Sequence, residues 1–145
     1  MIVVPYKAEH LMALKMQPGQ GYLMPYVTDE YAKALESQFA FTAMDEDNEV
    51  VAVGGIAELW SNRGLAWAFI DSRAGQHFLA LHKAVARVLA FVPYRRIEAE
   101  TPCEFRQGHR WLKMLGFELE APRMKAFRVD GGDAALYARV NHDRD

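Results

Sequence analysis

The alternation of apolar and polar stretches along the chain predicts a sheet with helices inserted between its strands. Apolar runs bounded by polar or glycine-containing turns predict strands, and these runs are Ile2–Val4, Phe39–Met44, Glu49–Leu59, Leu65–Ile70, Arg96–Glu100, Phe117–Leu119, Met124–Val129 and Ala134–Val140. Apolar residues at helical spacing predict helices over Ala8–Lys15, from the N-cap Thr28 onward, over Gln76–Phe91 and over Gln107–Met114. This order is typical of a mixed sheet with helices on both faces, of the α/β or α+β class, and we expect one domain over residues 1–145.

One continuous block places a strand directly before a long amphipathic helix. Leu65–Ile70 is nearly all apolar, as expected of a strand that is buried on both faces. The polar turn Asp71–Gly75 follows it, and the helix Gln76–Phe91 comes next. A strand that runs straight into a helix points backbone N–H groups and the positive end of the helix dipole beyond the strand. The block therefore predicts a seat for phosphate groups.

The second and third predicted strands form a hairpin around the acidic turn Asp45–Asn48. Gly54 and Gly55 lie inside the second arm of this hairpin. Glycines within a strand favour a bulge or a close approach of another segment. Gln17–Gly21, rich in glycine and carrying a proline, is predicted to be a loop.

Composition narrows the classes of function. The chain has 145 residues, of which 51% are hydrophobic, and a net charge of −2 without a long basic run. We therefore expect a packed core and no nucleic-acid partner. No apolar stretch approaches the roughly 20 residues of a membrane span, and no secretory signal is visible at the N-terminus, so we expect no membrane association. The single cysteine, Cys103, favours a reducing intracellular setting, and no spacing of His, Cys, Asp and Glu is typical of a metal site.

The order of elements resembles the GCN5-related N-acetyltransferase (GNAT) family over nearly the whole chain. Phe105–Phe117 is similar to that family's Asn-x-x-Ala-x-x-x-Tyr-x-x-x-Gly-Phe element, with Gly116 and Phe117 in place. The resemblance implies the acyl-CoA N-acyltransferase fold with a mixed, mostly antiparallel sheet. It also implies acetyl-CoA as cofactor and an amine as acceptor, with transfer of the acetyl group between them.

The same resemblance assigns roles to individual residues. Backbone groups near Phe69 and Ile70 are implied to pair with the pantetheine arm of the cofactor. The implied pyrophosphate contacts come from the turn residues Arg73, Ala74, Gly75, Gln76 and His77. Glu58, at the end of the third predicted strand, is the implied general base.

Three departures from the family pattern weaken the expectation of catalysis. The family's phosphate loop usually reads Gln/Arg-x-x-Gly-x-Gly/Ala, whereas the turn here has the single glycine Gly75. The family's tyrosine falls on Leu112, which cannot protonate a thiolate, and its asparagine falls on Phe105, which cannot hydrogen-bond. A protein that keeps the fold without the reaction is therefore the alternative.

A narrower resemblance bears on that alternative. The stretches WAFIDSRAGQHFLALHKAV, GHRWLKMLGFELE and DGGDAALYARV look like parts of small acetyltransferase-like proteins of tailed phages and prophages. This resemblance implies a structural, internal virion or assembly protein with other virion proteins as partners. It places the protein in the host-cell cytoplasm or in the virion.

Each candidate residue also has a purely structural interpretation. The turn after Leu65–Ile70 is on this interpretation an ordinary connection capped by Asp71 or Ser72, and Glu58 is a surface acid at a strand end. His109, at the start of the last predicted helix, is a candidate acid or base, because histidine titrates near neutral pH. The structural alternative is a histidine that caps the helix, or a surface histidine whose hydrogen bonds are satisfied.

Overall fold

Strands and helices alternate along the chain in the computed structural model, which describes residues 1–141. The strands are β1 (Ile2–Pro5), β2 (Phe39–Met44), β3 (Val50–Trp60), β4 (Arg63–Ile70), β5 (Arg96–Pro102), β6 (Glu118–Met124) and β7 (Ala134–Val140). The α-helices are α1 (Ala8–Ala13), α2 (Asp29–Ala34), α3 (Phe78–Phe91) and α4 (Arg106–Met114). Three 3₁₀ helices, Pro18–Tyr26, Leu35–Ser37 and Ala74–His77, complete the regular structure.

The strands form one seven-stranded sheet in the order β1-β2-β3-β4-β5-β7-β6. The β4–β5 pairing is parallel, whereas the β1–β2, β2–β3, β5–β7 and β6–β7 pairings are antiparallel. The parallel ladder joins Arg63 to Arg96, Gly64 to Ile97 and Leu65 to Glu98. A mixed sheet with helices confirms the predicted fold class, and within residues 1–141 the parallel ladder does not continue past Leu65 along β4.

The chain divides into two compact units, of which the first contains Met1–Ala57 and Trp67–Leu89. Its core joins the residue that follows β1 with residues of the first two α-helices, the 3₁₀ helix Leu35–Ser37, β3 and β4. It consists of Tyr6, Leu11, Ala32, Leu35, Val50, Val53 and Phe69. The Tyr6 hydroxyl donates to the backbone oxygen of Ala32, so the buried phenol is hydrogen-bonded. Thr28 caps α2 as predicted, since its hydroxyl accepts from the N–H of Tyr31 at 3.1 Å.

The second unit contains Glu58–Ala66 and residues 90–141. Its interior is formed mainly by β5 and β7, and Ile97, Ala135 and Tyr137 are at most 1% exposed. Glycine allows α4 to lie close to β5: a Cβ added to Gly108 would overlap the hydroxyl of Thr101. The helix α4 and the strand β5 are therefore in close contact at Gly108 and Thr101.

A charged network lies on the β4–β5 pairing of the second unit. The buried carboxylate of Glu98 accepts from Arg63 Nε at 2.6 Å and from Arg96 Nε at 2.7 Å. Arg96 also reaches the more exposed Glu120. The hydrogen bonds from Arg63 are the largest influence on the pKa of Glu98, and they hold it below its ordinary value.

Several predicted boundaries are wrong. Met124–Val129 is not an extended segment, because β6 ends at Met124 and Ala126 turns back with a φ of 54°. The N–H of Ala126 donates to the Asp133 carboxylate, which holds this turn. The loop predicted at Gln17–Gly21 is largely the start of the 3₁₀ helix Pro18–Tyr26.

The predicted close approach at the paired glycines of β3 is confirmed. A Cβ on Gly55 would lie 2.6 Å from the backbone oxygen of Phe39 and 2.8 Å from the Trp67 ring. A Cβ on Gly54 would lie 3.1 Å from the Trp67 oxygen. The missing side chains let β2 and β4 approach β3 from its two edges.

Candidate functional site

Asp71 organises the turn that follows β4. Its carboxylate is 2% exposed and accepts from the N–H of Lys15 at 3.0 Å and from the N–H of Arg73 at 2.9 Å. Burial by itself would raise the pKa of this carboxyl, but the hydrogen bonds from Arg73 and Lys15 outweigh it and lower the pKa. The bond to Lys15 also explains why α1 ends at Ala13 rather than at the predicted Lys15: the chain there becomes extended and pairs with Asp71.

Arg73, a predicted pyrophosphate contact, has its guanidinium between two carboxylates. Its Nε lies 2.8 Å from Asp71 Oδ1, and one terminal nitrogen lies 2.6 Å from Glu49 Oε2. These two carboxylates, Asp71 first, raise the pKa of Arg73. The Arg73 side chain is 47% exposed, so an anionic ligand would compete with the Glu49 pair in the presence of water.

The remaining turn residues form a 3₁₀ helix rather than the first turn of α3. Ala74 is buried, and its N–H donates to the Asp71 backbone oxygen at 3.0 Å. A Cβ on Gly75 would meet no atom within 4 Å, so the backbone is open on that side. The predicted contacts Gln76 and His77 precede the α-helix, which begins at Phe78.

A cavity of about 170 Å³ lies beside this turn. Its lining includes the carboxylates of Asp45, Glu49 and Asp71, together with Arg73 and His77. Carboxylates therefore outnumber guanidinium groups three to one, and the pairing described above already engages Arg73. A phosphate placed here would rely chiefly on backbone N–H groups that follow Ala74, because those of Arg73 and Ala74 already donate to Asp71.

The outer edge of β4 presents backbone groups of Ala68 and Ile70. The N–H of Asp71 donates to the Val51 oxygen of β3 at 2.9 Å, so this residue faces β3. Because backbone groups alternate sides along a strand, those of Ala68 and Ile70 face the opposite edge. Phe69 faces β3, and its side chain belongs to the core of the first unit, so Ala68 rather than Phe69 shares the outer edge with Ile70.

An amide side chain lies on this edge. Gln20 Nε2 donates to the Ala68 oxygen at 2.7 Å, and Gln20 Oε1 accepts from the Ile70 N–H at 2.9 Å. The N–H of Gln17 donates to the Ile70 oxygen at 2.9 Å. Sequence reasoning missed both Gln20 and Ala68, because a glutamine in a glycine-rich segment gives no sign of which strand it will reach.

Glu58 belongs to the second unit and is exposed. Its carboxylate accepts from the hydroxyl of Tyr94 at 3.1 Å. Burial is the largest influence on the pKa of Tyr94, and both burial and the Glu58 carboxylate raise it. The tyrosine thus orients the predicted base, a contact between distant residues that the sequence pattern did not reveal.

His109 is a structural residue of the second unit. Its Nε2 lies 2.9 Å from the Cys103 oxygen and its Nδ1 lies 2.6 Å from the Tyr137 hydroxyl. A carbonyl only accepts, so Nε2 carries a proton, and in the neutral ring Nδ1 accepts from the tyrosine. This confirms the structural alternative stated for His109, since neither ring nitrogen is left for a reacting group.

The geometry at the end of α4 accounts for the position of the Gly116-Phe117 pair without any ligand. Gly116 has a φ of 90° and donates to the Lys113 oxygen, while Phe117 donates to the Leu112 oxygen at 3.0 Å. This is the Schellman arrangement that ends many helices. The similarity of Phe105–Phe117 to the acetyltransferase element therefore has a structural origin at its C-terminal end.

Comparison with solved structures identifies the fold. Ard1 from Thermoplasma volcanium superposes with a TM-score of 0.78 at 15% identity, covering 96% of both chains. The ribosomal-protein-S5-alanine acetyltransferase from Vibrio fischeri gives 0.71 at 18% identity, covering 99% of this chain and 94% of that chain. A GNAT-family acetyltransferase from Bacillus anthracis gives 0.68 at 14% identity, covering 95% and 93%. This is the GNAT fold.

These similarities establish the GNAT fold and nothing beyond it. No protein-family model matches the sequence, and a comparison with curated proteins found no match either. Within residues 1–141, no three His, Cys, Asp or Glu side chains are grouped so as to hold a metal ion. No helix in that part of the chain combines the length and the apolar character needed to cross a membrane.

Proposed function

We propose that this protein binds acetyl-CoA and transfers its acetyl group to an amine. The observation that carries the proposal is the amide of Gln20 on the outer edge of β4. In its two hydrogen bonds, at 2.7 and 2.9 Å, the Ala68 oxygen accepts from the amide nitrogen and the Ile70 N–H donates to the amide oxygen. This edge therefore pairs with an amide in good geometry. The pantetheine arm of CoA carries secondary amides, which have the same donor and acceptor groups. The GNAT fold of the chain supports the choice of this ligand.

The turn after β4 would bind the phosphates of the cofactor. Phe69 and Ile70 lead into it, and the candidate contacts are Arg73, Ala74, Gly75, Gln76 and His77. The open backbone at Gly75 admits a ligand oxygen, while Arg73 supplies charge once Glu49 yields to the phosphate.

In the reaction, the amine nitrogen attacks the thioester carbonyl, a C–N bond forms, and the C–S bond breaks to release the CoA thiolate. The proposed base is Glu58, which takes a proton from the amine, directly or through a water molecule. Leu112 cannot supply the proton that the thiolate needs, so water is the proposed donor.

Isothermal titration with acetyl-CoA and with free CoA tests the proposal. We expect binding in the micromolar range, together with a rise in melting temperature, because a ligand that binds only the folded state stabilises it. Arg73→Ala should weaken binding roughly tenfold, which is about 1.4 kcal/mol. Arg87→Ala is the matched control, because it removes one exposed positive charge from α3 outside the turn.

Turnover of a panel of amines then tests the catalytic step. Glu58→Gln should lower the rate while leaving the affinity for acetyl-CoA unchanged, because the base acts on the acceptor. Unchanged turnover in this variant would remove Glu58 from the mechanism. Absence of binding at millimolar acetyl-CoA would overturn the proposal as a whole.

A non-catalytic protein on the same fold is the second candidate. The observations that favour it are Leu112 at the position of the family's tyrosine and the carboxylates around Arg73. Its phage origin and its virion partners remain predictions from sequence resemblance. Co-sedimentation with virions or assembly intermediates, without any response to acetyl-CoA, is the result expected for this candidate.

A further inference from the structure

We infer that Gln20 is an internal competitor for the ligand-binding edge of β4, and that a secondary-amide ligand must displace it. This inference rests on the proposed function, because it concerns the same edge. It identifies Gln20 as a residue that sets the affinity for the pantetheine portion of the ligand.

The orientation of the Gln20 amide is fixed by three partners. Oε1 accepts from the Ile70 N–H at 2.9 Å and from Gln17 Nε2 at 3.1 Å, and Nε2 donates to the Ala68 oxygen at 2.7 Å. In a flipped amide, Nε2 would face two donors, the Ile70 N–H and Gln17 Nε2, and Oε1 would face the Ala68 oxygen, which is an acceptor. The side chain therefore satisfies β4 as a strand partner would, with one donor and one acceptor on neighbouring outward-facing residues.

The segment that carries Gln20 is lightly anchored. The 3₁₀ helix Pro18–Tyr26 contains no buried residue, although Leu23 packs partly against the core of the first unit. Gln20 lies between Gly19 and Gly21, and a Cβ on Gly21 would meet no atom within 4 Å. Glycines on both sides widen the range of backbone conformations open to this position. The amide can thus leave the edge without breaking up a packed core.

Displacement of Gln20 by a ligand exchanges a definite set of hydrogen bonds. A ligand amide replaces the bond to the Ala68 oxygen and the bond from the Ile70 N–H, and the released Gln20 amide becomes hydrated. The gain from the two new bonds is offset by the loss of the two bonds between Gln20 and β4, while the Gln17 side chain can follow Gln20 or become hydrated. Removing the Gln20 amide in advance should therefore tighten binding of any ligand that uses this edge.

Titration of Gln20→Ala with two ligands tests the inference. CoA carries the pantetheine arm, whereas adenosine 3′,5′-bisphosphate does not. We expect Gln20→Ala to bind CoA on the order of tenfold more tightly than the wild type and to bind the bisphosphate equally. Gln20→Asn is the second variant, because its shorter side chain cannot reach both β4 groups; it should behave in the same way if the alanine variant folds poorly.

Gln17→Ala is the matched control. It removes an amide from the same segment, one that donates to Gln20 and leaves both β4 hydrogen bonds in place. Its affinity for CoA should stay near that of the wild type. Amide hydrogen exchange at Ile70 provides an independent readout, since loss of the Gln20 acceptor should accelerate exchange there in the ligand-free protein.

The outcomes separate the inference from the proposed function. Equal or weaker CoA binding by Gln20→Ala, with wild-type binding intact, overturns the inference and leaves the proposed function standing. Tighter binding of the bisphosphate as well as of CoA also overturns it, because the effect would not then require the pantetheine arm. Failure of the wild type and of every variant to bind either ligand overturns both.

Discussion

Gly108→Ala should destabilise the protein, although alanine is the better helix former. A glycine in a helix interior costs about 1 kcal/mol relative to alanine, so a solvent-exposed site would gain stability from the change. Here the added Cβ would overlap the Thr101 hydroxyl and lie 2.9 Å from the Phe105 ring and 3.1 Å from Thr101 Cβ. Thr101 is 4% exposed and β-branched, so it has little room to rotate away.

Overpacking of this kind typically costs about 1–3 kcal/mol. Subtracting the helix-propensity gain of about 1 kcal/mol leaves a net loss of about 0–2 kcal/mol in the free energy of unfolding. Because the contact with the Thr101 hydroxyl is a severe overlap, we expect the upper end of this range, about 2 kcal/mol, or about 4–8 °C in melting temperature. Urea unfolding followed by far-UV circular dichroism measures it. Gly75→Ala is the control, because its Cβ meets no atom within 4 Å, and it should be neutral or slightly stabilising.

The double variant Gly108→Ala, Thr101→Ala isolates the cause. Removal of the threonine hydroxyl relieves the shortest of the three close contacts, so the two substitutions together should cost less than the sum of their separate effects. A Gly108→Ala protein that is as stable as the wild type, or more stable, would refute the close packing of α4 on β5. Strict additivity in the double variant would assign the loss to another contact.

Two further predictions concern the second unit. The stabilisation that Glu98 gains from Arg63 and Arg96 should be present above the ordinary carboxyl pKa of about 4.5 and should be lost as the pH falls through the lower folded-state pKa. Glu98→Gln should accordingly lower the urea midpoint at pH 7 and differ less from the wild type near pH 3, and a constant difference would contradict this. Tyr137→Phe leaves the His109 ring without its buried partner and should cost about 1–2 kcal/mol in urea unfolding; an unchanged midpoint would contradict the bond.

Elements fixed by local chemistry were predictable from the sequence. The strand Ala134–Val140 has the bounds that its apolar run indicates, and Thr28 caps α2 through its own hydroxyl. The acidic hairpin turn follows from Asp45, whose carboxylate accepts the N–H groups of Asp47 and Glu49. Each depends on residues within a few positions of one another, which a periodicity or capping argument can detect.

The contacts of the candidate site residues, in each of the two units, depend on partners far apart in sequence. Gln20 reaches Ala68 and Ile70 across about fifty residues, and Glu58 meets Tyr94 across 36. The predicted role of Arg73 did not anticipate Glu49, because the pair forms only when the hairpin and the turn are side by side. The order of elements predicted a ligand site at the turn after β4, and that site remains a proposal. The charge balance of the turn and the occupied edge of β4 could be seen only in the structure.

The bond between Asp71 and the Lys15 N–H spans 56 positions in the chain. During synthesis, the turn after β4 therefore emerges long after the segment that shapes it, and it acquires its geometry only when that early segment docks. Closing so long a loop is slow compared with forming a local turn. The proposed phosphate site should consequently form late in folding. If the proposal holds, a nascent chain would bind the ligand only after its first strand and helix have docked.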